Sequence, residues 1–279
     1  MPVLPFISFT SADNRHSIQA SLVNWYEEVA PEEDPRLIPT AGLQTALTDL
    51  GGPIRGMYQR DNLVGGDLLV LAGNTLNRVS PDLNSSAIGV VMAGDGEQAT
   101  FASTAVQSVM LVDGAVYEVT ETGLSEFPVT FGADTAGDIV SVIVSNNRYV
   151  YVDNSAAGRI WWSDELDPTV IEGFATLEAS PDGVLAGIEI NGSLAFFGPN
   201  TVELWSPTSS ATAPFARRPG GVLDKGIFSQ FALTKADFGL FVIGEDAVVY
   251  RFSNFSPTRI STHGIETCLL YTSDAADDS

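Results

Sequence analysis

The sequence predicts an all-β chain: a β-propeller of about five visible four-stranded blades, six when complete, led by an extended N-terminal arm. Three observations predict it. First, one hairpin pattern recurs, an apolar run, a glycine-containing polar turn and a second apolar run. It reads LLVLAGNTLNRV around Gly73, MLVDGAVYEV around Gly114 and RYVYVDNSAAGRIWW around Gly158, then LAFFGPNTVELW around Gly198 and LFVIGEDAVVYRF around Gly244. Aromatic and β-branched residues in period-two alternation on either side of a turn are a hairpin signature. Second, the turn glycines lie 41, 44, 40 and 46 residues apart, which leaves room for two further strands per repeat and matches the period of a propeller blade. Third, no long stretch carries the period of an amphipathic helix. One hairpin cannot bury both of its faces, whereas four-stranded units stacked around an axis bury them and leave only short edges.

Residues 1–55 do not match the repeat and are expected to form the arm. Its prolines at 2, 5, 31, 35, 39 and 53 and the acidic cluster Glu27, Glu28, Glu32, Glu33 and Asp34 favour an extended chain. Within it, LVNWYEEVA reads as a short strand or a turn of helix, with Trp25 and Tyr26 as anchors for a domain surface or a neighbouring subunit. The propeller is expected over 56–266, with blades at 56–94, 95–136, 137–180, 181–222 and 223–266. The strands expected between the hairpins are Ala87–Ala93, Ile139–Val144, Val184–Ile190 and Ile227–Leu233. Pro181-Asp182-Gly183 is a turn signal opening the fourth blade. SSATAPFARRPGG, a long connection before the fifth blade, carries Arg217 and Arg218, the one local basic pair, either solvated or meeting an acidic partner. The run CLLYTSDAADDS breaks the pattern: residues 267–279 are expected to be a non-native read-through tail, and the propeller to be C-terminally truncated. A truncated propeller exposes unpaired blade faces, so poor solubility is expected.

Composition excludes several function classes. Thirteen Lys and Arg against 35 Asp and Glu, a formal charge of -22, cannot supply a general phosphate-gripping surface, so specific nucleic-acid binding is not expected. Such acidity keeps a β protein soluble, and it also suits a surface that lies near DNA without adhering. No run reaches the roughly 20 apolar residues of a membrane span, and the N-terminus does not read as a signal peptide. The single Cys cannot build an intramolecular disulfide framework, which fits a chain folded in a reducing cytoplasm.

No catalytic, metal or cofactor site is expected. His16 and His263 have no partner at metal-ligand spacing, and neither a nucleophile elbow nor a phosphate cradle is present. The aspartates at 95, 113, 134, 138, 153, 164 and 167 fall mostly in turns, where Asx side chains close the backbone locally. The alternative is a carbohydrate-binding or glycan-hydrolysing propeller, which requires two carboxylates converging on a sugar ring. Trp161 and Trp162 suit stacking, yet adjacent strand residues point to opposite faces, so one belongs in the core and the other between strands or on a rim.

The run SPDGVLAGIEINGSLAFFGPNTVELWSPTSSATAPFARRPGGVLDKGI resembles the tail hub family of short-tailed phages, also called packaged-DNA stabilisation proteins. The matching features are Pro181, Asp182 and Gly183 followed by Val184 and Gly187. Phe196, Phe197 and Gly198 come next, then Thr201, Val202 and Glu203, and finally Lys225, Gly226 and Ile227. RYVYVDNSAAGRIWWSDELDP and the arm segments LVNWYEEV, LIPTAGL and IRGMY add to the likeness, which spans about residues 15–265. The resemblance implies a non-enzymatic virion protein of the phage tail, made in the host cytoplasm. It implies a homo-oligomeric ring, typically a hexamer, below the portal and its adaptor ring, which closes the channel on packaged DNA and seats the tail needle and tailspikes. It implies no cofactor, no membrane and no specific nucleic-acid contact.

Overall fold

A computed structural model of the chain describes residues 45–277 other than 62, 93, 95, 156–157, 166, 178–182, 237–238 and 254–255, together with two strands nearer the N-terminus. Those two strands, β1 (Trp25–Glu28) and β2 (Arg36–Pro39), pair antiparallel as a hairpin in a first unit that ends at Thr48. Of the short strand or turn of helix expected at Trp25 and Tyr26, the strand is present; the side chains of both residues lie outside the described set.

The second compact unit, Asp49–Ser279, holds five four-stranded antiparallel sheets among its described residues. Blade one comprises β3 (Ile54–Tyr58), β4 (Leu68–Ala72), β5 (Thr75–Val79) and β6 (Ser85–Val90). Blade two follows with β7 (Thr100–Ser103), β8 (Ser108–Val112), β9 (Ala115–Val119) and β10 (Leu124–Glu126). A small hairpin of β11 (Thr130–Phe131) and β12 (Asp134–Thr135) precedes blade three. Blade three comprises β13 (Ile139–Ser145), β14 (Arg148–Asp153), β15 (Arg159–Ser163) and β16 (Ile171–Thr176). Blade four is built of β17 (Ala186–Ile190), β18 (Ser193–Phe197), β19 (Val202–Pro207) and β20 (Phe215–Leu223). Blade five has β21 (Leu233–Ala236), β22 (Gly239–Ile243), β23 (Val249–Ser253) and β24 (Ser256–Arg259). Within every blade the strands pair in chain order, so each repeating hairpin of the sequence is the central pair of its sheet.

The alternation along each central pair produces the propeller. Tyr149, Tyr151 and Trp161 pack on blade two residues Val109, Leu111 and Val116, while Val150, Val152, Ile160 and Trp162 point the other way, onto Leu194, Phe196 and Trp205 of blade four. Blades one and two meet through Leu69, Leu71, Met110 and Tyr117, and blades four and five through Phe197, Leu204, Leu240 and Phe252. Both faces of the inner blades are therefore apolar, as buried sheets require. The first strands are neighbours as well: β13 packs against β7 and against β17.

Three details differ from the sequence expectation. The strand expected at Ile227–Leu233 begins only at Leu233, because Ala232 N bonds Ser229 O in a turn and buried Ile227 serves as an anchor ahead of it. The β11–β12 hairpin carries too short an apolar pattern to be read as strands; it packs beside β16. The tail beyond Ile265, where no regular element was expected, forms α1 (His263–Asp277). No Gly or Pro follows Gly264 to interrupt it, and Glu266 in its first turn opposes the positive end of the helix dipole.

Candidate functional site

A cavity of about 250 Å³ lies where the segments leading into the first strands of blades two, three and four converge. Glu97, Asp113, Asp138, Val140, Asn154 and Gln230 are among its lining, and no aromatic ring is. Gln230, from the connection into blade five, donates through Nε2 to Val140 O of blade three. A cube of that volume is about 6 Å on an edge, whereas the major groove of B-DNA alone is about 12 Å wide, so the space cannot thread a duplex.

The carboxylates around this end of the propeller hold the blades together. Asp113 follows strand β8, and its Oδ2 takes an ion pair from Arg55 Nη2 of blade one at 2.6 Å. Its Oδ1 accepts from Glu97 N at 3.1 Å, while Arg55 Nε donates to Glu97 O at 2.8 Å, so both backbone polar groups of Glu97 are held. Asp153 ends β14 and is wholly buried. Its oxygens accept from Asp138 N (3.1 Å), Ser155 N (2.9 Å), Gly137 N (3.4 Å) and Trp161 Nε1 (3.1 Å). Asn154 Oδ1 accepts from Val184 N at 2.9 Å, and Glu245 accepts from Gly226 N at 3.0 Å. One device thus recurs: a side-chain oxygen at the end of a blade's second strand takes a backbone N–H from the segment that leads into a blade. The local Asx reading accounts for the Ser155 contact and for Asp167, whose Oδ1 accepts from Thr169 N at 2.8 Å. Asp113 and Asp153 chiefly satisfy donors farther along the chain, Glu97 N at 16 residues and Asp138 N at 15.

Pro181 and Asp182 lie outside the described residues. Gly183 has φ +80°, a left-handed conformation that favours glycine, and a Cβ there would stand 2.7 Å from Asn154 Oδ1. Phe197, Gly198 and Gly226 are brought together: Ile227 N bonds Gly198 O at 3.1 Å, and a Cβ on Gly226 would fall 1.8 Å from Pro199 O. Glu203 is buried and accepts from Trp205 Nε1 at 2.9 Å. Lys225 donates to Asp246 Oδ2 and to Tyr250 OH, both at 3.1 Å, with its ammonium 4.7 Å from the Tyr250 ring centre. The hydrogen bond to Tyr250, reinforced by Asp246 and by Glu245 at 3.5 Å, raises the Lys225 pKa well above its ordinary value. These positions secure the connection from blade four to blade five. Arg217 and Arg218 lie exposed on β20, apart from that cluster, with Arg217 opposite Trp205 in the strand register.

Two further buried groups escaped sequence reasoning. Arg148 donates to Ser163 O at 2.6 Å and pairs with Glu172 and Glu165. Tyr149 OH donates to Gln107 O at 2.8 Å, and Tyr151 OH to Pro168 O at 2.7 Å. Burial raises both phenols above their usual pKa. Trp161 and Trp162 do point to opposite faces of blade three, at 0% and 4% exposure, and Trp205 is buried in blade four. None of these three rings lines that cavity, and Trp162 alone reaches a second groove, along β16, whose lining carries a single carboxylate, Glu172. Among the described residues no group of three His, Cys, Asp or Glu side chains is placed to hold a metal, and no helix is long and apolar enough to cross a membrane.

A family model described as "Bacteriophage P22 Gp10, beta-propeller" matches residues 13–278. No curated protein sequence matches the chain. Among solved structures, virginiamycin B lyase from Staphylococcus aureus is similar at TM-score 0.53 and 12% identity, over 86% of this chain and 78% of that one. A streptogramin B lyase structure is similar at TM-score 0.54 and 10% identity, over 87% and 78%. The computationally designed Ika8 protein reaches 0.51 and 13%, over 88% and 72%. At such identities the likeness is one of fold alone.

Proposed function

Because this chain belongs to the phage stabilisation family described as bacteriophage P22 Gp10 β-propellers, we propose that it acts as the hub of a phage tail. The family is one of phage structural proteins that stabilise packaged DNA. In the proposed role, copies of the chain form a ring, six in number, beneath the portal and its adaptor ring. The ring closes the channel behind the genome and offers the tail needle and tailspikes a platform. The observation that carries this reading is the family match across nearly the whole chain. Two physical features support it. The cavity inside the propeller is too small for a duplex, so a DNA channel would have to lie between copies. A net charge of -22 would let DNA slide past such a channel wall without adhering.

The test is assembly. The protein mixed with purified portal–adaptor rings is expected to co-sediment with them as a ring and to prevent loss of DNA from packaged heads. Persistent monomers without portal affinity would overturn the hub role. A glycan-processing role has no comparable support, since Trp161 and Trp205 are buried and the groove that Trp162 reaches is lined by one carboxylate, Glu172, where hydrolysis needs a pair.

A further inference from the structure

A second concavity, a groove of about 740 Å³, runs along β16 between blades three and four. Five consecutive residues, Ile171–Ala175, line it. Successive strand side chains point to opposite faces, so a groove touched by all five follows the edge of the strand. That edge is open: β16 pairs with β15 and with no other strand among the described residues. The opposite wall is Ala211–Ala213 and Phe215 of blade four, and Phe131 of the small hairpin flanks it, half exposed. The floor is kept low by Gly173, whose Cβ would stand 2.6 Å from Cζ2 and 3.2 Å from Nε1 of Trp162.

The Trp162 indole supplies an independent sign of a ligand. The residue is 4% exposed and its Nε1 donates to no acceptor among the described residues. Trp161 and Trp205 both satisfy the same atom, on Asp153 and Glu203. A buried N–H without a partner is costly, and this one lies over the groove floor. The neighbouring ion pairs set the sign of the rim. Side-chain exposure is 60% for Glu165, 36% for Glu172 and 49% for Asp134, against 9% for Arg148 and 29% for Arg159. The carboxylates face solvent and the guanidinium groups lie beneath them.

We propose that this groove binds an extended, cationic, apolar segment of a partner protein. The segment pairs its main chain with the open edge of β16, sets a bulky apolar side chain on Gly173 and Ala175, and presents a carbonyl oxygen to Trp162 Nε1. Strand addition of this kind takes affinity from main-chain hydrogen bonds and specificity from alternate side chains. Lysine or arginine in the flanking positions meets the acidic rim.

The proposal does not depend on a place in the tail hub, since it is read on the isolated chain. The probe is a fluorescein-labelled peptide, Lys-Val-Lys-Leu-Lys-Val-Lys with blocked ends, titrated into the 279-residue protein and followed by anisotropy. Saturable binding is expected, at least tenfold tighter than for the same peptide with Glu in place of Lys or with Pro in place of Leu. The indole N–H resonance of Trp162 is expected to shift during the titration. Exposed Ala213 changed to Trp fills the groove and is expected to abolish binding with an unchanged melting temperature. Trp162→Phe, which keeps a ring and removes the donor, is expected to weaken binding about fivefold. No binding, equal binding of the Glu peptide, or indifference to Ala213→Trp would each overturn the proposal. So would an Ala213→Trp chain that turns an oligomer into a monomer, which would give the groove to a second copy.

Discussion

Trp161 Nε1 donates to Asp153 Oδ2 at 3.1 Å, and neither residue touches solvent. The bond joins adjacent strands β14 and β15, while the same carboxylate holds the Gly137 and Asp138 amides that lead into blade three. Asp153→Ala strands the Trp161 indole N–H in the interior and releases both amides, and is expected to cost about 3–5 kcal/mol, whereas Trp161→Phe, losing one hydrogen bond and some ring area, costs about 2 kcal/mol. Urea denaturation of both variants and of the double variant measures the coupling; strictly additive losses would refute the shared network.

The Arg55–Asp113 pair bridges blades one and two, with both side chains largely buried. Asp113→Asn or Arg55→Met alone leaves an uncompensated buried group and is expected to cost about 3–5 kcal/mol. Replacing both residues with apolar ones removes the unpaired charge but also the bonds to Glu97 N, Glu97 O and Gly73 O, so only part of that loss is expected to be recovered. Thermal melts of the three variants decide between a paired and an independent contribution.

Gly226→Ala places a methyl group 1.8 Å from the carbonyl oxygen of Pro199, a clash with backbone. A loss of about 3 kcal/mol or more is expected. Gly192, at φ +78° with no atom near its would-be Cβ, is the control; Gly192→Ala is expected to cost about 1 kcal/mol from backbone conformation alone. Equal shifts in melting temperature would show that the close approach to Pro199 does not matter.

The Lys225–Asp246–Tyr250 cluster predicts a dependence on pH. Burial pushes the Asp246 carboxyl up, but hydrogen bonds from Tyr250 and Lys225 outweigh it and hold the pKa below the usual value. Its stabilisation is therefore present above the unfolded pKa of about 3.9 and is lost as the pH falls through the folded value. Tyr250 is raised by burial and by its bond to Asp246, and Lys225 by its bond to Tyr250. Their contributions are complete below about pH 10 and disappear as the pH rises through the folded values. Because Asp246 is partly exposed, solvent screening limits the effect at neutral pH to less than about 1 kcal/mol. Urea denaturation of wild type and Asp246→Asn across the acid and alkaline ranges should show both limbs flattened in the variant.

Burial raises the Tyr149 and Tyr151 pKa values. A raised phenol favours the folded state below the unfolded pKa of about 10 and opposes it as the pH climbs through the folded value. Alkaline ultraviolet titration is expected to leave these two rings un-ionised until the protein unfolds. Their smooth titration in folded protein would contradict the packing.

The hairpins were legible because each combines period-two alternation with a turn glycine, and both signals are local. Tyr151 and Trp161, apart in sequence, face each other in the register that this alternation demands. What was not legible depends on distant partners. Arg55 and Asp113 are 58 residues apart, and nothing in LVDGAV marks Asp113 as an ion-pair partner rather than a turn former. Asp153 looked the same, although its place one repeat further on was a signal that both carboxylates do one job. The β16 groove needs two blades and a connecting hairpin to exist, so no single motif carries it. Ile227–Leu233 misled because an apolar run that anchors a loop reads like one that pairs.

Gln230 reaches from the lead-in of blade five to the Val140 carbonyl of blade three, bypassing blade four. A tie between non-adjacent sectors acts like a chord across a bent beam: spreading the outer sectors puts it in tension at once. Any motion that spreads blades three and five apart therefore strains this hydrogen bond directly, so within these sectors the bond couples their lead-in segments across blade four.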